Sequence, residues 1–427
     1  MDVVDKHASD IATGFHRVDQ AARLPFAAAI IAVLVLCQAA LCVVGSGRSL
    51  AGKVDLRAFY AAGTIVRSGE ASRLYDYDYQ QKVQDATIGP RAGALPFLYP
   101  PFAALLFVPL SVLSYRHAFF VLLGLNIGLL CTAAQLLRPR LPGIRQHRWL
   151  LLPAAYGSFF AVSVALMQGQ ISFVLLIVYC GSYVLLERGR HFRAGLLLAL
   201  ALMKFQVALP VILLFIVWRQ WRVVAGFVMG TLGAGAISFA VVGRVGLASY
   251  ARSMLGVLGA TARNPGASKA RYGMFPTDMP NLHGLTYALS HGAPWGYLLN
   301  GLLCCIVLGW AARQRACLLV ALPAAMLVSY HMQPHDLTLL LLPLSVAGTR
   351  LFLSSSSEKS RQEQAQLRVA LLCASLLLIC PLAALVMARG MGYVWSLTVA
   401  VIMVAAATTC PMREPLASAD DVHGVAP

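Results

Sequence analysis

The feature that most constrains this chain is the recurrence, along its whole length, of apolar runs close to the roughly 20 residues that a helix needs to cross a bilayer. Within hydrocarbon every backbone N–H and C=O must find its partner inside the segment, so such runs fold as helices. The expected fold class is therefore an all-α integral membrane protein, a multi-spanning helical bundle. About twelve apolar segments begin near Leu24, Phe97, His117, Trp149, Ile171, Ala194, Val223, Pro294, Ala316, Leu337, Arg368 and Met391. Of the 427 residues, 59% are hydrophobic and only 12% charged, which leaves no stretch for a detachable soluble domain. The first run, Leu24 to Val44, is too long for the apolar core of a signal peptide and lacks a small-residue cleavage site after it, so it reads as a retained anchor.

The net charge of +17 could suggest nucleic acid, but the arginines fall in short connectors such as Arg219-Gln220-Trp221-Arg222 and Arg313-Gln314-Arg315. That is the pattern of positive-inside topology and of contact with anionic membrane lipids, and it excludes nucleic acid as a partner. All ten cysteines lie in apolar runs without C-x-x-C spacing, and they read as small buried hydrophobes rather than ligands or disulfides.

The chain is read as one polytopic membrane domain, residues 1–427, with cytoplasmic tails at 1–23 and 411–427. Two polar stretches, 45–96 and 243–293, form outer loops, and a charged Ser/Gln-rich cytoplasmic linker, 350–367, sets off the last two segments as a peripheral pair. Strict alternation places Arg138, Arg140, Arg145 and Arg148, and also Arg188, Arg190 and Arg193, on the outer side, against the positive-inside rule. Re-entrant segments near Tyr99 and Lys204 would bring both groups inside, and the sequence leaves the two topologies open. In the first loop, Leu56, Phe59, Tyr60 and Gly63 follow helical spacing, and Leu74, Tyr75 and Tyr79 begin a second aromatic face, which suits two amphipathic helices on the membrane surface.

Acidic residues outside the tails, Glu187 and the linker are few: Asp55, Glu70, Asp76, Asp78, Asp85, Asp278 and Asp336. Asp55 follows the first span and opens a helix, where it serves either as an N-cap or as a carboxylate facing headgroups and water. Asp76-Tyr77-Asp78 has the D-x-D form of metal-holding nucleotide-sugar transferases, but no further ligands are near, so both are read as surface residues. Lys204 lies deep in the run from Ala194 to Trp218, where an ammonium needs an anion or a cavity, and phosphate binding is the reading. His331-Met332-Gln333-Pro334-His335-Asp336 sets two imidazoles and a carboxylate between two apolar segments. Zinc needs about four ligands, which this cluster does not supply, so His335 and Asp336 are assigned to a phosphate or sugar. Tyr99-Pro100-Pro101 suits an anchor at a helix start, and Gly169-Gln170 breaks two apolar runs.

Taken in order, these pieces resemble the polyprenyl-phosphate-mannose-dependent alpha-mannosyltransferases of glycosyltransferase family eighty-seven, in the GT-C class. The likeness runs from Asp55 with Phe59 and Tyr60 through Gly69, Leu74-Tyr75-Asp76, Tyr99-Pro100-Pro101, Pro109-Leu110, Gly169-Gln170, Lys204 and Trp221-Arg222 to His335-Asp336-Leu337. It departs where Phe205-Gln206 follow Lys204 in place of the family's usual proline, and where Ile171-Ser172 follow Gln170 without its usual asparagine. The resemblance implies a GT-C-like bundle that moves a hexose, mannose, from a polyprenyl-phosphate sugar to a lipid or glycan acceptor. It places the site on the non-cytoplasmic face of a bacterial inner membrane, with no cofactor and no metal. Asp55 would be the base, Lys204, His335, Asp336, Tyr60, Tyr99 and Gln170 would hold the donor, and the transfer would invert the anomeric carbon. A transporter or flippase, and a polysaccharide ligase or polymerase using Arg263, Lys269 and Arg271 of the second loop, are the other classes compatible with such a chain.

Overall fold

The computed structural model describes residues 28–141, 150–263, 275–353, 358–379 and 382–410, within which every regular element is helical. The tails 1–23 and 411–427, and the expected charges Arg145, Arg148, Lys269 and Arg271, lie outside the described residues. The chain opens with α1, Ala28–Leu50, and continues with α2 (Leu56–Arg67), α3 (Tyr77–Thr87), α4 (Pro101–Ala104) and α5 (Tyr115–Leu137). Next come α6 (Leu151–Gly157), α7 (Phe160–Gln168), α8 (Ser172–Glu187), α9 (His191–Leu198), α10 (Phe205–Val217) and α11 (Trp221–Arg263), the last broken at Gly243. The remainder is α12 (Leu282–Ser290), α13 (Pro294–Arg313), α14 (Leu318–Val328), α15 (Leu341–Leu353), α16 (Glu358–Ile379), α17 (Leu382–Ala388) and α18 (Trp395–Thr409).

Among the described residues, six helices are long and apolar enough to cross a membrane, or seven if α6 and α7, bent by 74°, form one broken span. About twelve apolar segments were expected, and the difference lies in runs that fold as shorter pieces. The run from Phe97 carries Pro100, Pro101 and Pro109, which remove backbone donors, and it breaks into the four-residue α4 and the 3-10 turns Leu105–Phe107 and Leu110–Val112. α5, which follows, begins at the same end of the bundle as Asp55, because the Tyr115 hydroxyl donates to the Ser49 carbonyl over 3.1 Å and its ring meets Tyr60 edge-on.

The run around Lys204 is one of the six, His191–Val217, but its backbone is irregular part-way along. α9 passes into a 3-10 turn, Ala199–Lys204, and Lys204 leaves the helical region at φ −123°, ψ 70° before α10 begins. His191 at one end of this run and Phe215 and Trp218 at the other line the same cavity. α9 packs so closely on α11 that a Cβ on Gly226 would lie 2.0 Å from the Phe192 carbonyl oxygen, so only glycine fits there.

The two ends of the bundle differ in chemistry. At one, Arg140 pairs with Glu187 at 2.7 Å and Arg350 with Glu187 at 3.1 Å, tying the ends of α5, α8 and α15 together. Asp55, Gln170, Lys204 and His335 gather at the other. In the first loop α2 covers Leu56, Phe59, Tyr60 and Gly63, whereas Leu74 and Tyr75 precede α3, and α2 does not lie on a surface: Leu56, Phe59, Ala61 and Ile65 are buried, with Phe59 stacked on Phe107 at 4.6 Å between centroids. The cysteine reading needs one correction. Cys317 before α14 and Cys410 after α18 are joined in a disulfide, their Cα atoms 6.8 Å apart, because the fold brings together two helix ends 93 residues apart in sequence.

Candidate active site

Asp55 occupies the N-cap position of α2, yet its side chain makes no capping hydrogen bond. The carboxylate instead accepts from the Gln170 amide, and the Asp55 backbone N–H donates to Gln168 Oε1 at 3.3 Å. Gln168 and Gln170 reach it because α7 ends in a left-handed residue, Gly169 (φ 65°), which turns the chain between them; a Cβ there would stand 2.8 Å from the Leu56 Cβ. Gln170 is itself held, its Oε1 accepting from the Tyr99 hydroxyl at 3.2 Å and its carbonyl from Asn126 at 3.3 Å. Burial raises the Asp55 carboxyl above its ordinary value, and the Gln170 hydrogen bond and Lys204 ammonium pull it partly back. The result is a carboxylate that has no ion pair with a guanidinium or ammonium among the described residues, which is the state that suits a proton acceptor.

A cavity of about 130 Å³ joins Asp55 to Tyr99, Gln170, Lys204, His331 and His335. Across it Lys204, 5% exposed, donates to Asp336 Oδ1 and to His335 Nε2, the latter at 3.1 Å. Asp336, 1% exposed, also accepts the Gln333 backbone N–H at 3.1 Å through Oδ2, closing a capping box at the start of the turn Pro334–Leu340. Burial and the Lys204 charge push the His335 imidazole down to about 3, so it accepts from Lys204 as a neutral ring and adds no second cation. His331 is pushed down to about 4 by burial and Lys204, and its Nδ1 is buried without a partner among the described residues. The cavity thus brings together a carboxylate, an ammonium held by two partners, and an imidazole nitrogen unpartnered among the described residues.

Of the residues expected to form the site, Asp55, Tyr99, Gln170, Lys204 and His335 line this cavity and Asp336 is bonded to Lys204. Tyr60 does not join them: its hydroxyl donates to the Leu113 carbonyl at 2.8 Å and its ring packs on Tyr115. Asp76 caps α3 by accepting from the Tyr79 N–H and pairs with Arg73, while Asp78 stands exposed, as the surface reading of the D-x-D expected. Among the described residues no group of three or more His, Cys, Asp or Glu is placed to hold a metal ion.

The sequence model of glycosyltransferase family 87 matches residues 97–353, which is more than half of the chain. The chain belongs to glycosyltransferase family 87. The family 87 match takes in Tyr99, Gln170, Lys204, His335 and Asp336, and Asp55 lies upstream of it, brought to the same cavity by Gln168 and Gln170. A curated relative, the polyprenol-phosphate-mannose-dependent alpha-(1-2)-phosphatidylinositol pentamannoside mannosyltransferase of Mycolicibacterium smegmatis, is 31% identical over 196 residues. That match covers 44% of this chain and 44% of the relative. No solved structure matches the chain.

The sequence reading passed over Gln168, whose contact with Asp55 crosses 113 residues of sequence. It also passed over Arg57, 2% exposed, which ties the first loop together by donating to Gln84 at 3.0 Å, Asp85 at 2.8 Å and the Gly89 carbonyl at 2.6 Å. An arginine beside Asp55 inside a helix so apolar on its other faces was the available signal for the second.

Proposed function

We propose that this family 87 protein moves a hexose, mannose, from a polyprenyl-phosphate donor to a hydroxyl of a lipid or glycan acceptor at the non-cytoplasmic membrane face. The observation that carries the reading is that Asp55 and Lys204 line one small cavity. The leaving group is already a phosphate, so no general acid is needed. Asp55 takes the proton of the acceptor hydroxyl as its oxygen bonds to the anomeric carbon, and the bond from that carbon to the phosphate oxygen breaks. Lys204, aimed by Asp336 and His335, stabilises the negative charge growing on the departing polyprenyl phosphate. Asp336 is engaged by Lys204 and the Gln333 N–H, which leaves Asp55 as the carboxylate for the reaction. One base and one displacement give inversion at the anomeric carbon.

The mannose donor follows the relative's dependence on polyprenol-phosphate-mannose. The sidedness is supported by the basic end of the bundle. Arg138, Arg140, Arg188, Arg219, Arg313 and Arg350 stand at or beside the helix ends remote from Asp55, and the positive-inside rule assigns such connectors to the cytoplasm. The test is to supply purified protein with radiolabelled polyprenyl-phosphate mannose or a nucleotide-activated mannose, and a membrane-lipid extract as acceptor. Label should pass to the extract from the lipid donor alone. A folded protein that transfers nothing from any polyprenyl-phosphate sugar, yet moves solute across liposomes, would replace this reading with a transporter.

A further inference from the structure

The end of the bundle remote from Asp55 has a cavity of its own. It holds about 550 Å³ and opens among the ends of α8, α9, α10, α14, α15 and α18. That volume falls within the roughly 300–1,000 Å³ of sites that take a whole molecule rather than a single ion. Its charge comes from Arg315, exposed on the connector before α14, and from Arg350 on α15. Glu187 is the one carboxylate among the described lining residues, and it is already engaged. Arg140 pairs with it at 2.7 Å, Arg350 at 3.1 Å, and the Tyr183 hydroxyl donates to it. Counting Arg140, three guanidinium groups stand against one carboxylate, an arrangement that favours an anion.

Two further groups in the lining point the same way. Ala316, Cys317 and Leu318 line the cavity at the start of α14, which no side chain caps, so its first N–H groups and the positive end of its dipole add to the guanidinium charge. The His191 imidazole also lines it, with Nδ1 buried and without a hydrogen-bond partner among the described residues, a polar demand the protein leaves unmet. Tryptophans set the depth. Trp218 lines the cavity and donates its indole N–H to the Ala312 carbonyl at 3.1 Å, and Trp221 stands exposed just beyond. Tryptophan settles at the headgroup level of a bilayer, which places the cavity where lipid phosphates lie. Leu186, Phe215 and Leu318 supply apolar walls beside the charges.

We infer that this cavity is a binding site for the headgroup of an anionic phospholipid of the surrounding membrane, at the opposite end of the molecule from the reaction. The lipid phosphate meets Arg315, Arg350 and the start of α14, and the first carbons of an acyl chain lie against Phe215 and Leu318. Basic pockets between spanning helices hold anionic headgroups in this way. A soluble phosphate would use the charges alone, whereas a phospholipid uses the apolar walls as well. The site is separate from the Asp55 cavity and stands whether or not the transferase reading holds. One arginine at a membrane surface contributes about fivefold to the binding of an anionic lipid, so reversing its charge weakens binding about 25-fold.

The test uses the full chain in phosphatidylcholine nanodiscs doped with phosphatidylglycerol that carries a photoreactive group close to the glycerol end of one acyl chain. Phosphatidylcholine with the same group is the comparison. Phosphatidylglycerol is expected to label the peptides that hold Phe215, Trp218 and Leu318 well above phosphatidylcholine. At a fixed low fraction of phosphatidylglycerol, Arg315→Glu should lower that labelling about 25-fold, and because Arg315 is exposed the variant keeps its fold, which circular dichroism checks. Arg313→Glu makes the same change of charge at an exposed residue outside the lining, and it should lower labelling less than about threefold at physiological salt, where charges not in contact are screened. Phosphatidylglycerol should also raise the unfolding midpoint of the wild type and leave that of Arg315→Glu unmoved. Glycerol phosphate at millimolar concentration should compete poorly, since it gains nothing from the apolar walls. Equal labelling by the two lipids, labelling unchanged in Arg315→Glu, or the same loss in both variants would each overturn the inference. Full displacement by glycerol phosphate would overturn it as well, by assigning the cavity to a soluble phosphate.

Discussion

Replacing Lys204 by methionine should separate what this ammonium does for the fold from what it does for the reaction. Lys204 and Asp336 are 5% and 1% exposed and directly bonded, so the substitution strands a carboxylate that, among the described residues, keeps only the Gln333 N–H as a donor. Breaking one half of a buried pair costs about 3–5 kcal/mol, whereas replacing both partners by apolar side chains of similar size is close to neutral. Lys204→Met alone should therefore lower unfolding stability by about 3–5 kcal/mol, and Lys204→Met/Asp336→Leu should recover most of that loss. His335, whose Nε2 lies 3.1 Å from the ammonium, is left without its donor in both variants, so the recovery stops short of wild type. Reversible denaturant titration in a fixed detergent reads the stability, and transfer from the lipid donor reads the chemistry. The double variant should be folded and inactive. A Lys204→Met protein as stable as wild type would refute the buried-pair reasoning, and a double variant with wild-type turnover would remove Lys204 from the proposed reaction.

Three further outcomes follow from the site. Asp55→Asn should lower kcat by about 10²–10⁴-fold with stability unchanged or slightly raised, since the carboxylate is held buried at a cost; circular dichroism and unfolding of the purified variant check the second half. The base form of Asp55 exists above a pKa raised from 3.8, so activity should be present above that raised value and fall as pH drops through it. Gln170→Leu removes the hydrogen bond that pulls this pKa down, and the acidic limb of kcat/KM should move to higher pH, where an unmoved limb would contradict the assignment. Gly169→Ala forces a Cβ into the left-handed region and against Leu56, which should cost about 1–2 kcal/mol in the same titration and lower turnover by displacing Gln168 and Gln170.

Much of the site could be read from sequence because polar groups are so scarce in the apolar runs that each demands a reason. Lys204, His335 and Asp55 were singled out on that ground and Gln170 by the family resemblance, and they meet in one cavity. Tyr60 was drawn in by the family resemblance, but five residues along a helix turn a side chain to another face than that of Asp55, and its hydroxyl ends on Leu113. Hydropathy reports composition and not backbone dihedrals, so the run from Phe97 looked like a span although prolines break it, and the irregular backbone at Lys204 left no trace in the hydropathy of its run. The Cys317–Cys410 pairing and the Gln168 contact depend on packing across 93 and 113 residues, and no local pattern carries either.

The central claim is that a buried carboxylate before α2 activates an acceptor hydroxyl against a polyprenyl-phosphate sugar. Its most direct measurement is single-turnover transfer of radiolabelled mannose from polyprenyl phosphate by wild-type protein and by Asp55→Asn, with the anomeric configuration of the product determined. The account predicts transfer by wild type with inversion, and a rate at least a hundredfold lower in the variant. Transfer with retention, or an Asp55→Asn protein that keeps the wild-type rate, would contradict it.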